Sequence, residues 1–310
     1  MGEITVMAKN DFKPFATGSG ANVMSQTDWE ALPALLAGFQ SGKASSAQIN
    51  KAFRQSSFIA AALAQFIADT NGTDVLDNGN FSDIVLKLKS AISTASTGRL
   101  LNVRTFTSSG TYTPTAGMKF CIVKGIGGGG AGGGAPATAA GNVGLGAGGH
   151  AGAYGEGQFT AAQIGASQTV TVGSGGTGSP TSGGNGGSSS LGSLITFGGG
   201  SGASSSGNTA PPLNAGNGNA AAVCTGANII SGTGPLSIIG QITSTSVGYS
   251  GTGASSSFGA GGGATNTTGN GVSANGYGAG GGGACAFSSN ATARSGGNGS
   301  PGFVIIFEYA

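Results

Sequence analysis

The chain has 310 residues, a formal net charge of +2 and 66 Gly residues, of which 56 follow Lys124. The charged residues are distributed the other way, because only Glu156, Arg294 and Glu308 follow Lys124. The Gly residues occur in runs rather than at every third position, which excludes a collagen triple helix, and no basic cluster favours nucleic-acid binding.

The sequence predicts neither membrane insertion nor secretion. It contains no apolar run of about 18 residues, and its first residues lack the pattern of a signal peptide. The three Cys residues, Cys121, Cys224 and Cys285, are odd in number and far apart. We therefore expect reduced thiols that pack as small apolar side chains in a protein made in a cytosol.

A first helix is predicted to begin with a capping box formed by Thr27 and Glu30. Pro33 lies inside this helix and either kinks it or moves its start. Gly38 and Gly42 are expected to end the helix. Its apolar residues share one side: Leu32, Leu35, Leu36 and Phe39.

A second helix is predicted from Ser45 or Ser46 to about Thr70, where Asn71-Gly72 would end it. Its apolar residues recur at helical spacing and form one stripe: Ile49, Ala52, Phe53, Ile59, Leu63, Phe66 and Ile67. The stripe indicates either an amphipathic helix of a small helical domain or a self-associating helix, as in a parallel trimer. Ser56 lies on the stripe and weakens a strict heptad.

A third helix is predicted from Asn80 or Ser82 to Ser93, and residues 93–98 are the predicted linker. This third helix carries Ile84, Leu88 and Ile92 at helical spacing. The helical region therefore spans residues 1–98.

Residues 7–95 resemble the N-terminal region of short bacteriophage and prophage tail fibre proteins. The resemblance lies in MAKNDFKPFA at residues 7–16, in NVMS at residues 22–25, and in the helical run over residues 35–68. It implies a virion protein, synthesised in the bacterial host cytoplasm, that docks to a phage tail protein through this region and forms a homotrimer. Because residues 1–6 lie outside the resemblance, Met1 and Met7 are both candidate starts.

Residues 99–310 alternate Gly runs with segments typical of strands. The predicted strands cover residues 100–107, 118–126, 168–172, 191–197 and 303–307. A flexible Gly-rich linker has no need for such strands. We therefore predict a folded domain whose first and last strands pair.

The Gly runs predict a core built of backbone rather than side chains. Buried peptide groups must be hydrogen-bonded, and the lack of a Cβ lets extended segments approach closely. Stacked helices of polyproline II geometry would satisfy both conditions. The predicted fold class is α+β multidomain, with a small helical region over residues 1–98 and a β-strand-framed glycine-rich domain with stacked polyglycine II-type helices over residues 99–310.

Five stretches of this second region resemble a known architecture: FTSSGTYTP at residues 106–114, the segment over residues 119–134, GGHAGAYGE at 148–156, VTVGSGG at 170–176 and PGFVII at 301–306. They resemble the glycine-rich domain of phage tail fibres and the glycine-rich adhesins at the fibre tips of T-even-like phages. In those adhesins a polyglycine scaffold carries variable receptor-binding loops. The resemblance implies recognition of a host outer-membrane protein or a surface glycan.

The dissimilar segments between the Gly runs carry the receptor-binding candidates, because recognition tends to lie on loops held by a rigid scaffold. The candidates are Pro211, Pro212, Leu213, Tyr249, Asn266, Tyr277, Phe287 and Arg294. Aromatic residues suit contacts with a protein loop or a sugar ring, although each of them could instead pack between Gly-rich layers. That packing role is the expectation for Phe258, which is therefore not a candidate. The low charge predicts an interface with weak salt dependence.

The sequence predicts no enzyme, no cofactor and no metal site. After Lys124 only Glu156 and Glu308 could supply a catalytic carboxylate pair, and the single His, His150, lies in a Gly cluster and is interpreted as a structural or surface residue. GIGGGG at residues 125–130 lacks the helix and acidic residue of a dinucleotide site. The leading hypothesis is thus a receptor-binding tail fibre, and the alternative is a structural fibre segment or assembly factor without receptor contact.

Overall fold

The computed structural model describes residues 8–39, 44–96 and 98–310. The chain divides into two compact units, Met1–Gly98 and Arg99–Ala310. The first unit is helical, and the second is rich in strands arranged in antiparallel sheets. Four residues of the sequence predictions lie outside the described residues: Met1 and Met7 as starts, Gly42 as a helix stop and Thr97 in the linker.

The described part of the N-terminal unit contains the helices α1 (Gln26–Glu30), α2 (Ala34–Ala37), α3 (Ser46–Asn71) and α4 (Phe81–Ala95). A capping box between Ser45 and Gln48 begins α3, and Gly72, in the left-handed conformation with φ of 63°, ends it. The side chain of Asn80 caps α4 by accepting from the backbone N–H of Asp83. The predicted second and third helices are therefore confirmed, with α4 extending to Ala95.

The predicted first helix is wrong in its cap and in its continuity. Ser25, rather than Thr27, caps α1 by accepting from the backbone N–H of Asp28. Pro33 has no N–H to donate to a continuous helix, and the chain forms the separate helix α2 immediately after it. Leu36 is 98% exposed, so the predicted apolar side is not buried against this unit.

The buried face of α3 also differs from the predicted stripe. Ala64, Ile67 and Ala68 form one apolar cluster with Val75 and Ala91. Ala61 is also buried, and its carbonyl accepts from the side-chain amide of Asn10. Small side chains allow close helix approach, so they, rather than the large ones, face α4. The large stripe residues Phe53, Ile59, Leu63 and Phe66 are 39–69% exposed.

The second unit contains one short helix, α5 (Ala161–Ile164), among its described residues, and many strands. In chain order the strands are β1 (Leu100–Phe106), β2 (Gly110–Tyr112), β3 (Phe120–Ile126), β4 (Val143–Gly146), β5 (Tyr154–Thr160), β6 (Gln168–Thr171), β7 (Ser189–Leu191), β8 (Ile195–Phe197), β9 (Ser205–Thr209), β10 (Leu213–Ala215), β11 (Cys224–Thr225), β12 (Ile230–Ser231), β13 (Gly240–Ile242), β14 (Gly248–Tyr249), β15 (Cys285–Ala286) and β16 (Phe303–Tyr309). The strand predicted over residues 191–197 is wrong, because the chain turns at Gly192 and forms the hairpin β7–β8.

Two five-stranded sheets, in the orders β1-β16-β3-β5-β12 and β11-β8-β7-β6-β2, pack into a sandwich. Val123 and Ile306 from the first sheet meet Leu191 and Phe197 from the second in the main apolar core. The strands β1 and β16 pair antiparallel, which confirms the predicted pairing of the first and last strands. All three Cys thiols are free and buried, as predicted.

Residues 127–135 hold the centre of the unit through backbone hydrogen bonds that repeat every three residues. Successive N–H groups donate in rotation to residues 147–153, 181–187 and 294–300, with N···O distances of 2.7–3.2 Å. The carbonyls of this segment accept from Gly176, from Gly200 and Ala203, and from Gly281 and Ala284, which belong to three further segments, residues 173–179, 198–204 and 279–284. The segment of residues 127–135 is thus surrounded by six others. These seven segments, with the last one extended to residues 294–302, are called the glycine bundle below.

The glycine bundle leaves no room for a side chain at the Gly positions of its central segment. A Cβ on Gly129 would overlap the carbonyl of Ala279, and one on Gly132 would overlap the carbonyl of Gly282. Neither residue has a positive φ. The requirement for Gly is therefore close approach of backbones rather than an unusual backbone conformation.

The glycine bundle has two different ends. At the sandwich end its segments continue directly into β3, β5 and β16. At the loop end they continue into two three-stranded sheets, in the orders β10-β13-β14 and β15-β4-β9, and into the loops between them. A second apolar cluster, around Leu145, Ile242 and Cys285, fills this end.

Glu308 is a fully buried carboxylate in β16. Tyr112 donates its hydroxyl to Glu308 at 2.8 Å, and Thr115 donates its backbone N–H at 3.1 Å. Burial raises the pKa of Glu308, but the hydrogen bonds from Thr115 and Tyr112 outweigh burial, and the net pKa lies below the ordinary value of 4.5. The carboxylate thereby fixes the segment after β2 to the last strand.

We predict that Gly129→Ala destabilises the protein by about 2 kcal/mol or more, because the added methyl overlaps a backbone carbonyl that cannot move alone. Gly263→Ala is the matched control, since a Cβ there meets no atom within 4 Å. Denaturant unfolding should place the control within about 1 kcal/mol of the wild type. Equal effects of the two substitutions would contradict the close-packed interpretation.

A second prediction concerns how the contribution of Glu308 to the stability of the protein depends on pH. Because the folded pKa of Glu308 is lowered, its contribution to stability is present above the unfolded pKa and is lost as pH falls through the folded value. The difference in Tm between the wild type and Glu308→Gln should therefore be largest near pH 7 and shrink below about pH 4.5. A difference that is unchanged at about pH 3 would show that the hydrogen bonds do not depend on the ionised carboxylate.

Candidate functional site

Seven of the eight predicted site residues belong to elements at the loop end. Leu213 and Phe287 pack against the apolar cluster there. Pro211 and Pro212 directly precede β10, and Tyr249 lies in β14, 49% exposed and opposite Gln241 of β13. The remaining two are Asn266, exposed in the loop that follows residue 263, and Arg294.

Tyr277 is the exception, because it lies at the sandwich end. Its ring packs on Phe303 of β16 with a centroid distance of 5.2 Å. Phe258 packs on the other side of this group, 4.9 Å from Phe303 and 5.4 Å from Tyr154. These aromatic residues contact one another where the bundle meets the sheets, which is the packing role expected for Phe258.

Arg294 is held by its own loop rather than by a carboxylate. Its backbone pairs with Ala135 at the end of the central segment. Its Nη2 donates to Asn290 Oδ1 at 3.3 Å, and its buried Nε has no hydrogen-bond partner in the described part of the chain. The guanidinium therefore keeps donor capacity at the loop end.

His150 anchors a long surface segment, residues 216–239, to the glycine bundle. The side chain is 1% exposed, and its Nδ1 accepts from the backbone N–H of Ser237 at 3.1 Å. Its Nε2 lies 3.1 Å from the carbonyl of Asn219, which requires the proton on Nε2. The residue interpreted from sequence as structural or surface is thus a buried anchor with a defined tautomer.

The anchored segment presents apolar side chains that the sequence predictions did not select. Leu236, Ile238 and Ile239 are 57–65% exposed, and Val247, which precedes β14, is 60% exposed. Together with Tyr249 they form what is called the apolar surface below. Exposed apolar groups of this kind mark contact sites on proteins. The sequence signal was the run of aliphatic residues between Gly segments, which alone does not separate exposed from buried positions.

Charge plays little part in this half of the unit. Glu156 belongs to the sandwich end, where it accepts from Tyr154 and pairs with Lys124 at 3.1 Å. These contacts, first the Tyr154 hydrogen bond and then Lys124, lower the pKa of Glu156 despite burial. In the described ranges no group of His, Cys, Asp or Glu could hold a metal ion. The loop end therefore offers apolar, amide and hydroxyl groups with a single guanidinium.

None of the helices in the described ranges is long and apolar enough to cross a membrane. The comparison with curated proteins found no match. A family model for the glycine-rich domain matches residues 105–309, which include the glycine bundle, the loop end and both five-stranded sheets apart from residues 100–104 of β1. Since this match covers well over half of the chain, the protein belongs to the glycine-rich domain family.

Proposed function

We propose that the protein is a bacteriophage tail fibre protein that binds a receptor on the host bacterium through its loop end. The observation that carries this proposal is the glycine bundle, which joins a sheet sandwich at one end to dissimilar loops at the other. A scaffold held by backbone bonds fixes the positions at which the loops emerge, and binding residues commonly lie on such loops. The resemblance to tail fibre glycine-rich domains points the same way.

We further propose that the bundle segments are polyglycine II-type helices. A repeat of three residues per turn without internal hydrogen bonds is the property of that conformation. The three-residue rotation of donors over residues 127–135, and the six neighbouring segments, support this assignment.

The receptor contact is proposed to combine the apolar surface with the seven loop-end candidates. Aliphatic and tyrosine side chains suit either an outer-membrane protein loop or the apolar face of a surface glycan. The protein acts as an adhesin of the virion rather than as an enzyme, since the two Glu carboxylates of the glycine-rich unit are engaged in structural hydrogen bonds. No nucleic acid, cofactor or membrane insertion enters the proposal.

The helical unit is proposed to dock to a phage tail protein and to form a homotrimer. Three large residues of the α3 stripe support self-association, because Phe53, Leu63 and Phe66 remain exposed in the single chain. A helix face of this kind is normally covered by a partner in the assembled protein. The small residues on the opposite side of α3 are already used within the unit.

We predict that replacing Leu236, Ile238 and Ile239 together with Ser weakens binding of the purified protein to host cells by about tenfold or more, because buried apolar contacts dominate interface energy. The matched control replaces Val223, Ile229 and Ile230 with Ser. These residues are 47–55% exposed on the same surface segment but lie at the sandwich end. The measurement is cell binding together with competition against infection.

The control variant should bind as the wild type does. Equal losses of host-cell binding in both variants would show that the apolar surface is not part of the receptor-binding site. If the wild-type protein neither binds host cells nor blocks infection, the structural fibre segment or assembly factor becomes the better assignment.

A further prediction tests the trimer. Light scattering should give the wild type three times the chain mass of 29.3 kDa. Leu63→Glu with Phe66→Glu should give the mass of one chain, because charges cannot be buried in an apolar interface without a partner. Leu36→Glu is the control, since Leu36 is 98% exposed on α2. A wild-type mass of 29.3 kDa would rule out the trimer.

A further inference from the structure

The N-terminal unit contains a cavity of about 640 Å³ between α1 and α3. Its lining combines two basic side chains, Lys51 and Arg54, with the apolar side chains of Phe58 and Ile59. Gln26 and Gln55 complete the polar part of the wall. A cavity of this size accommodates a few side chains of a bound peptide or a small molecule.

The two cations of the cavity have no carboxylate partner in the described ranges. The ion pairs found there join Lys9 to Asp11, Lys87 to Asp83 and Lys124 to Glu156. Lys51 is nevertheless only 3% exposed. A cation on the wall of a cavity, with no counter-charge in the described ranges, is suited to an anionic group supplied from outside.

Neither of the two carboxylates of α1 forms an ion pair with these cations, and Asp28 accepts from the side chain of Ser25 at 2.6 Å. Glu30 accepts from the side-chain amide of Gln26 at 2.7 Å, which directs it along α1. Gln26 therefore has one amide proton engaged, while Gln55 lies on the same face of α3 as Lys51.

The apolar part of the wall limits the chemistry of the ligand. Phe58 is 56% exposed and Ile59 is 69% exposed beside the two cations. A free inorganic anion would leave these side chains uncovered, whereas a peptide with alternating acidic and apolar side chains would cover them and pair the cations.

We propose that this cavity binds a carboxylate of an acidic, apolar peptide segment of the tail protein to which the helical unit docks. The inference rests on the proposed docking function and names the chemistry of that partner. Lys51 and Arg54 pair with the carboxylate, and Phe58 and Ile59 cover the neighbouring apolar side chains. Glutamine amides at the wall bond to the peptide backbone.

The test uses the full chain and a dye-labelled peptide, acetyl-Leu-Glu-Leu-Asp-Phe-amide, with fluorescence polarisation as the readout. The variant Lys51→Met with Arg54→Gln should bind about tenfold more weakly or worse, as expected from the loss of charge-assisted bonds. Lys89→Met, an exposed position on α4, is the matched control and should bind as the wild type does. A peptide with Gln and Asn in place of Glu and Asp should bind as weakly as the variant.

A second measurement separates binding from folding. Because Lys51 has no partner within the described chain, Lys51→Met should leave the Tm unchanged or raise it. A lower Tm together with unchanged peptide binding would make Lys51 a structural residue and overturn the proposal. Displacement of the peptide by equimolar inorganic phosphate would overturn the requirement for an apolar ligand.

Two further outcomes would contradict the inference without affecting the proposed receptor binding. Loss of the trimer mass in the Lys51→Met with Arg54→Gln variant would identify a second copy of this chain as the occupant. Absence of peptide binding by the wild type would also overturn the inference. Host-cell binding by the glycine-rich unit, measured on the same preparations, decides the proposed receptor function independently.

Discussion

Hydrogen bonds between the backbones of neighbouring Gly-rich segments are the interaction on which the second unit depends. Every peptide group of residues 127–135 lies inside the protein, and a buried N–H or carbonyl must be paired. The three-residue rotation distributes these groups over six neighbours. A single segment therefore fixes the positions of all the others, including those that continue into β5 and β16. The positions of the loops at the loop end are set by this arrangement of segments.

The glycine bundle needs the sandwich because backbone packing buries little apolar surface. The side chains of Val123, Phe197 and Ile306 supply the hydrophobic burial that drives folding. The pairing of β1 with β16 brings the two ends of the unit together across more than two hundred residues of sequence. The segments of the glycine bundle continue into β3, β5 and β16, so the apolar core and the bundle hydrogen bonds depend on the same stretches of chain. The unit is therefore rich in contacts between residues that are distant in sequence.

Local signals in the sequence predicted α3 and α4, although the cap expected at Thr27 lies at Ser25 instead. Ser45 with Gln48, and Gly72, mark the ends of α3 because caps and left-handed Gly act within a few residues. The buried face of α3 is not predictable in the same way. Side-chain size at Ala64 and Ala68 decides how closely α4 approaches, and an apolar stripe does not report that distance. Tyr277 was assigned to a loop because its contact with Phe303 is distant in sequence. The backbone N–H of Ser237 donates to His150, and this hydrogen bond positions the apolar surface. It is not predictable either, because the two residues are distant in sequence.

The closeness of the bundle backbones has a consequence for how the sequence can vary. Any amino acid that replaces Gly129 or Gly132 brings a Cβ, so no substitution at these sites is conservative in the usual sense. Residues such as Gly263, or the exposed positions between Leu236 and Val247, meet no such limit. Mutations that leave the protein folded are therefore concentrated in the surface loops. We therefore expect amino-acid substitutions to accumulate in the surface loops, while the Gly residues of the glycine bundle stay the same.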